Sequence, residues 1–236
     1  MLSRRHLRVK VLQALYAYLQ SGNARLDQGE NQLILSINKL FELFIYQLSF
    51  LIETARFAEK RLEENKNKHL PTSEDLDPNM RFANNSVLLA LSNNRDFQKK
   101  EHLYKINWSD DQEMVRKFYI KIRETAEYEQ YMSTTDNSFD ADRKFLMFLV
   151  DRIFVDFDFL ESFYEEKSIY FVDDYHLVSY LLIKFFKFMD SGFGEFDQLP
   201  TILKTETEDS NEDLAFVKQL FRKTIIQSEE WGKIIA

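Results

Sequence analysis

Arg4, Arg5 and Arg8 stand close together near the start of the chain, with His6 and Lys10 among them, and no acidic residue precedes Asp27. A guanidinium forks two hydrogen bonds onto a phosphate or stacks on a base, so this trio is suited to a sugar-phosphate strand. On a helix Arg4 and Arg8 share one face, and Arg5 and Lys10 flank it. Lys10 supplies a supporting charge, and His6 can stack or hydrogen-bond. The chain carries a formal net charge of -8, yet its first 26 residues carry +5, which leaves -13 for the rest. Such a head attracts phosphate locally while the body repels it. Cations in a first helical turn oppose the helix dipole, a cost that fits residues kept for a ligand. Arg4, Arg5, His6, Arg8 and Lys10 are therefore the candidate phosphate- and nucleic-acid-contacting residues. Four phosphate contacts on a single strand imply a slope of about -3 in log K against log salt, at roughly -0.7 per contact. The bland reading of the same cluster is a solvated, frayed end. Internal ion pairs would take the guanidiniums away from phosphate.

Other chemistry finds less support. His6, His69, His102 and His176 are scattered without metal-ligand spacing, and the chain has no cysteine, so neither a metal site nor a disulfide is expected. Gly192-Phe193-Gly194 lacks the strand, further glycine and helix of a dinucleotide loop. Asp110-Asp111, Glu165-Glu166 and Asp173-Asp174 read as solvated or capping residues rather than an acid/base pair. No nucleophile stands out, so no catalytic residue and no cofactor is expected. Tyr16 and Tyr18 are able to stack on bases, but on an amphipathic helix they read as core. Trp108 and Trp231 read as packing anchors at helix ends.

The elements that must position these groups are helical. The chain has 236 residues with 5 glycines, 3 prolines and 22 phenylalanines, which argues against a turn-rich sandwich and for an all-α bundle with aromatic contacts. A first helix is expected over residues 4–21, ended by Gly22, with Leu7, Val11, Leu15 and Tyr18 as its stripe and Leu12, Tyr16 and Leu19 widening it. A second runs over 28–65 with a seam from Leu33 to Leu62. Residues 66–108 read as an irregular connector containing a short helix at 87–91. Residues 109–200 read as an inserted helical bundle. Within it, Ser109 and Gln112 form a capping box opening a helix to about 132, a helix follows over 141–166, and another starts at Asp173-Asp174. Val155 to Phe159 alternates like a strand but sits between helical flanks. Residues 201–236 read as a polar linker and a terminal helix, capped by Ser210 and Asp213. Val115 to Lys121 aligns without gaps to Val217 to Lys223, which suggests an internal duplication. There is no apolar run behind the charged start to make a secretory signal, and the apolar stretches are too short or interrupted to span a bilayer. A cytoplasmic protein without membrane contact is expected.

The first helix resembles the NusB family of bacterial transcription antitermination factors. Its members typically open with Arg-Arg-x-x-Arg and then Gln-Ala-Leu-Tyr, here Arg4, Arg5, Arg8 and then Gln13, Ala14, Leu15 and Tyr16. Val217, Leu220, Phe221 and Trp231 are similar to the helix before the family's second three-helix bundle. Leu7 and Val11 replace small alanines of the family, and Lys10 adds a charge. Some 180 residues between the two matches correspond to a long, insertion-bearing form. The second bundle is expected soon after Trp231. Either the 236 residues end before it, or the insert replaces it; in the second case the helix over 111–132 packs against the first helix. The resemblance implies a NusB-like fold and binding of single-stranded boxA-type RNA together with a NusE-type small-subunit ribosomal protein, within a transcription elongation complex. The alternative is a non-catalytic protein-interaction scaffold without RNA binding, working through the seam of the long second helix.

Overall fold

With few glycines and prolines the chain has few places to stop a helix, and helices are what it forms. The computed structural model describes residues 2–22, 25–201, 203 and 212–227; Ser210 and Trp231, for which a cap and a packing anchor were expected, lie outside them. Among the described residues no strand occurs, and the chain is an all-α multi-helix bundle. Val155 to Phe157 is the break between two helices.

The helices fall into two compact units, Met1–Phe41 with Pro200–Ala236, and Glu42–Leu199. The boundary therefore falls inside the long second helix rather than near residue 65. The expected connector and inserted bundle belong to one unit.

The first unit contains α1 (Arg4–Gln20), the start of α2 (Leu26–Lys66) and a last helix, Glu212–Ile226. Gly22 follows α1 with φ +61°, a left-handed conformation glycine adopts without a Cβ penalty. Gly29 of α2 has a different reason to be glycine. A Cβ there would stand 2.6 Å from Phe221 Cζ and 2.7 Å from Tyr18 Cδ2. The Tyr18 and Phe221 rings meet edge-to-face at 5.7 Å, so three helices converge on this one missing side chain.

The second unit is built on α2. Every residue from Leu43 to Ile52 is buried, the mark of a core helix rather than a surface one. The remaining elements are α3 (Ser73–Leu76), α4 (Ser86–Asn93), α5 (Arg95–Leu103), a 3-10 turn (Ser109–Asp111), α6 (Gln112–Arg123), α7 (Ala126–Ser133), α8 (Phe139–Phe148), a π-helical turn (Leu149–Phe154), α9 (Asp158–Lys167), α10 (Ile169–Val172) and α11 (Tyr175–Phe188); the helix Glu212–Ile226 of the first unit is α12. Phe50 touches Trp108, Phe118 and Phe154, while Phe44 meets Phe185. Polar groups inside this core are paired. Gln47 Nε2 donates to Ser179 Oγ at 3.2 Å, and Trp108 Nε1 donates to Ser49 Oγ at 2.8 Å. Trp108 is thus a packing anchor, as expected.

Several local expectations are corrected. The connector over 66–108 holds α3 and α5 besides the expected short helix, here α4, and Asn85 and Asn94 act as the N-caps of α4 and α5. The helix from Ser109 has no side-chain cap; Gln112 Nε2 instead donates to Glu53 at 2.7 Å. That helix is also two helices, since Thr125 caps a second start at Tyr128 N. The expected helix over 141–166 is interrupted by the π-helical turn. The α6 side chains Val115, Phe118, Tyr119 and Ile122 are buried, and Phe118 packs on Phe50, Phe154 and Phe157 of its own unit. The apolar face of α6 is spent there, and α6 and α1, like the two echoing segments, belong to different units.

The α2 seam is not a working surface either. Leu33, Ile37, Leu40, Phe44, Leu48, Leu51, Ala55 and Ala58 are all core, which removes the surface on which the scaffold reading relied. One 18-residue window of α2 is long and apolar enough to cross a membrane, against the sequence expectation, and 67% of it is buried inside the protein.

Two packing tests follow. Phe118→Ala should destabilise the protein by about 3–5 kcal/mol in urea unfolding, because the cavity opens in a ring cluster that cannot collapse. Gly29→Ala should cost about 1–3 kcal/mol by overpacking. A change within experimental error for either would contradict these contacts.

Candidate nucleic-acid interface

Ser3 starts α1. Its backbone is extended, at φ -85° and ψ 158°. Its hydroxyl accepts from His6 N at 3.4 Å, and its own N–H donates to His6 Nδ1 at 3.3 Å. The histidine therefore closes a capping box, a role that does not call for a base to stack on.

The three arginines part company. Arg4 Nε lies 3.2 Å from Asp213 Oδ1, and its Nη2 lies 3.7 Å from Glu212 Oε2. Its guanidinium carbon also sits 4.4 Å from the centre of the Phe216 ring. Asp213 is only 2% exposed, so a cation beside its carboxylate offsets part of the cost of burying it. Arg8 reaches the same ring at 5.7 Å, a longer cation–π contact that leaves its hydrogen-bond donors unspent. Arg8 and Arg5 are exposed, and neither enters an ion pair among the described residues. Lys10 is 5% exposed and so stands away from solvent.

Of the five expected contact residues, two remain fully presented: Arg5 and Arg8. Arg4 is shared with α12, His6 caps its own helix and Lys10 is buried. The sequence reading missed the α12 partners Glu212, Asp213 and Phe216. Asp213 was read as half of a capping box. Nothing in a linear pattern joins it to Arg4, more than two hundred positions away.

The α1 stripe also splits. Leu7, Val11 and Leu15 are buried, but Leu12, Tyr16 and Leu19 are 66%, 68% and 68% exposed. Those three do not widen the core stripe. Tyr18 packs on Phe221 as a core residue does; Tyr16 is presented to solvent.

A second ion pair supports the bundle. Glu30 on α2 is 6% exposed and accepts from both Nε and Nη2 of Arg222 on α12, the latter at 2.7 Å. The Arg222 hydrogen bonds hold the Glu30 carboxyl below its ordinary value, and burial opposes them only in part. A carboxyl depressed in the folded state stabilises fully above its unfolded value and loses that contribution as pH falls through the folded one. Stability should therefore decline from about pH 4.5 downward, and Glu30→Gln should flatten that decline in urea unfolding measured from pH 6 to pH 3. An unchanged pH profile in the variant would exclude Glu30 as its source.

No family model, no curated protein and no solved structure matches this chain.

Proposed function

We propose that the protein is a non-catalytic RNA-binding factor of transcription antitermination, acting through the head of α1. The reading rests on one observation: Arg5 and Arg8 are exposed on a helix that carries no acidic residue. They belong to the Arg-Arg-x-x-Arg run by which the first helix resembles the NusB family. The ligand in this reading is single-stranded, boxA-type RNA, met by phosphate contacts rather than by base readout. Arg4 serves as a positioning residue, since its guanidinium is engaged by Asp213. The acidic body weakens such binding, so a second protein that adds contacts fits the physics. A NusE-type small-subunit ribosomal protein, in a cytoplasmic elongation complex, is that partner in this reading. Arg4, His6 and Lys10 being occupied or buried, the expected salt dependence drops from four contacts to two.

Filter binding of a boxA-type oligoribonucleotide over a salt series tests this. The slope of log K against log salt should be about -1.4, at roughly -0.7 for each of two arginines. Arg5→Glu combined with Arg8→Glu should abolish binding at a stability cost of no more than about 1 kcal/mol, from the exposed Arg8–Phe216 contact. Asp213→Asn combined with Glu212→Gln should release Arg4 from both carboxylates and steepen the slope by roughly 0.7. Binding that survives the double variant would remove the head of α1 from the interface.

A further inference from the structure

Helix α1 has two apolar faces. One is buried through Leu7, Val11 and Leu15. The other consists of Val9, Leu12, Tyr16 and Leu19, exposed by 48%, 66%, 68% and 68%. Their alternating spacing of three and four residues aligns them in one strip along the helix. Arg5 stands four residues before Val9 and so heads the same strip, with Arg8 at its margin. Exposed apolar residues scattered singly need no explanation, but a continuous strip on one helix face does.

We infer that this strip docks an acidic amphipathic helix of another protein. The occupant is chosen by charge. Of the cations on α1, Arg4 is held by α12 and Lys10 is buried, so Arg5 and Arg8 are the charges presented beside the strip, and the helix has no carboxylate of its own. Two copies of α1 laid parallel bring Arg5 onto Arg5. Laid antiparallel, they bring Arg5 toward the Leu19 end, and no carboxylate of the helix faces it in either case. RNA is a poor occupant, since of the four strip residues Tyr16 alone offers it a ring and a donor. An anionic bilayer spreads its charge over a plane far wider than the strip and so meets the -13 carried by the rest of the chain, whereas a single helix can confine its carboxylates beside Arg5 and Arg8, within a Debye length. A helix with apolar residues at matching spacing and carboxylates on its flanks satisfies both the strip and Arg5. The RNA reading uses Arg5 and Arg8 alone. This proposal needs the four apolar residues as well, so either can fail without the other.

The test is fluorescence anisotropy with a labelled synthetic helix carrying Leu at three-four spacing and Glu elsewhere, against a Lys counterpart. The Glu helix should bind, and the Lys helix should bind at least tenfold more weakly. Leu12→Gln with Leu19→Gln should weaken the Glu helix at least tenfold. Its helix content and unfolding midpoint should match the parent, because both positions face solvent. That double variant should leave the salt slope for RNA unchanged. The proposal is overturned if the two helices bind alike, if the Gln variant binds as the parent does, if light scattering finds a dimer that the Gln variant abolishes, or if the chain floats with phosphatidylserine vesicles and the variant does not.

Discussion

A carboxylate taken out of water needs hydrogen-bond donors or a positive charge beside it, and at Asp213 the charge is supplied by Arg4. That one pairing decides much else about the first helix. It ties the head of α1 to the first turn of α12. It draws the guanidinium across the Phe216 ring. It also divides three arginines that look equivalent in sequence into one that is held and two that are offered. An acid in the first turn of α12 suits the dipole of that helix. The basic first turn of α1, unfavourable on its own, is compensated by the acids of a neighbour.

The bundle around this pair is held by contact rather than by charge. Gly29 lets Phe221 and Tyr18 meet over the α2 backbone. Glu30 and Arg222 close the same junction from the polar side. Any side chain at position 29 would push the last helix outward, and the ion pair beside it depends on that helix being close. Small steric terms therefore set the geometry in which the larger electrostatic ones operate.

In the second unit the governing constraint is how a helix buried on all sides can be surrounded. The stretch from Leu43 to Ile52 meets rings from many short helices instead of a few long ones. Each short helix begins where a polar side chain can cap it, as at Asn85, Asn94, Thr125 and Ser138. Gln47 and Ser49 are admitted to this core because Ser179 and Trp108 satisfy them. The phenylalanine-rich composition has its physical outlet here, in a core assembled from offset and edge-to-face rings.

The all-α character, the extent of α1 and α2, and the stop at Gly22 were legible in the sequence, because they depend on periodicity and on local backbone chemistry. Of the connector's helices, the one over 87–91 was legible too, as α4, but α3 and α5 were not, since an asparagine that caps a helix and one that makes a turn are the same letter. Which apolar residues of α1 are buried was equally hidden: Val11 lies inside, while Leu12 next to it lies outside. The sequence by itself determined that a cationic helix leads an acidic, helical chain. Only the tertiary structure decided that Arg4 is spent on Asp213 while Arg5 and Arg8 face solvent, because burial and charge pairing depend on residues that meet in space and not on their spacing along the chain.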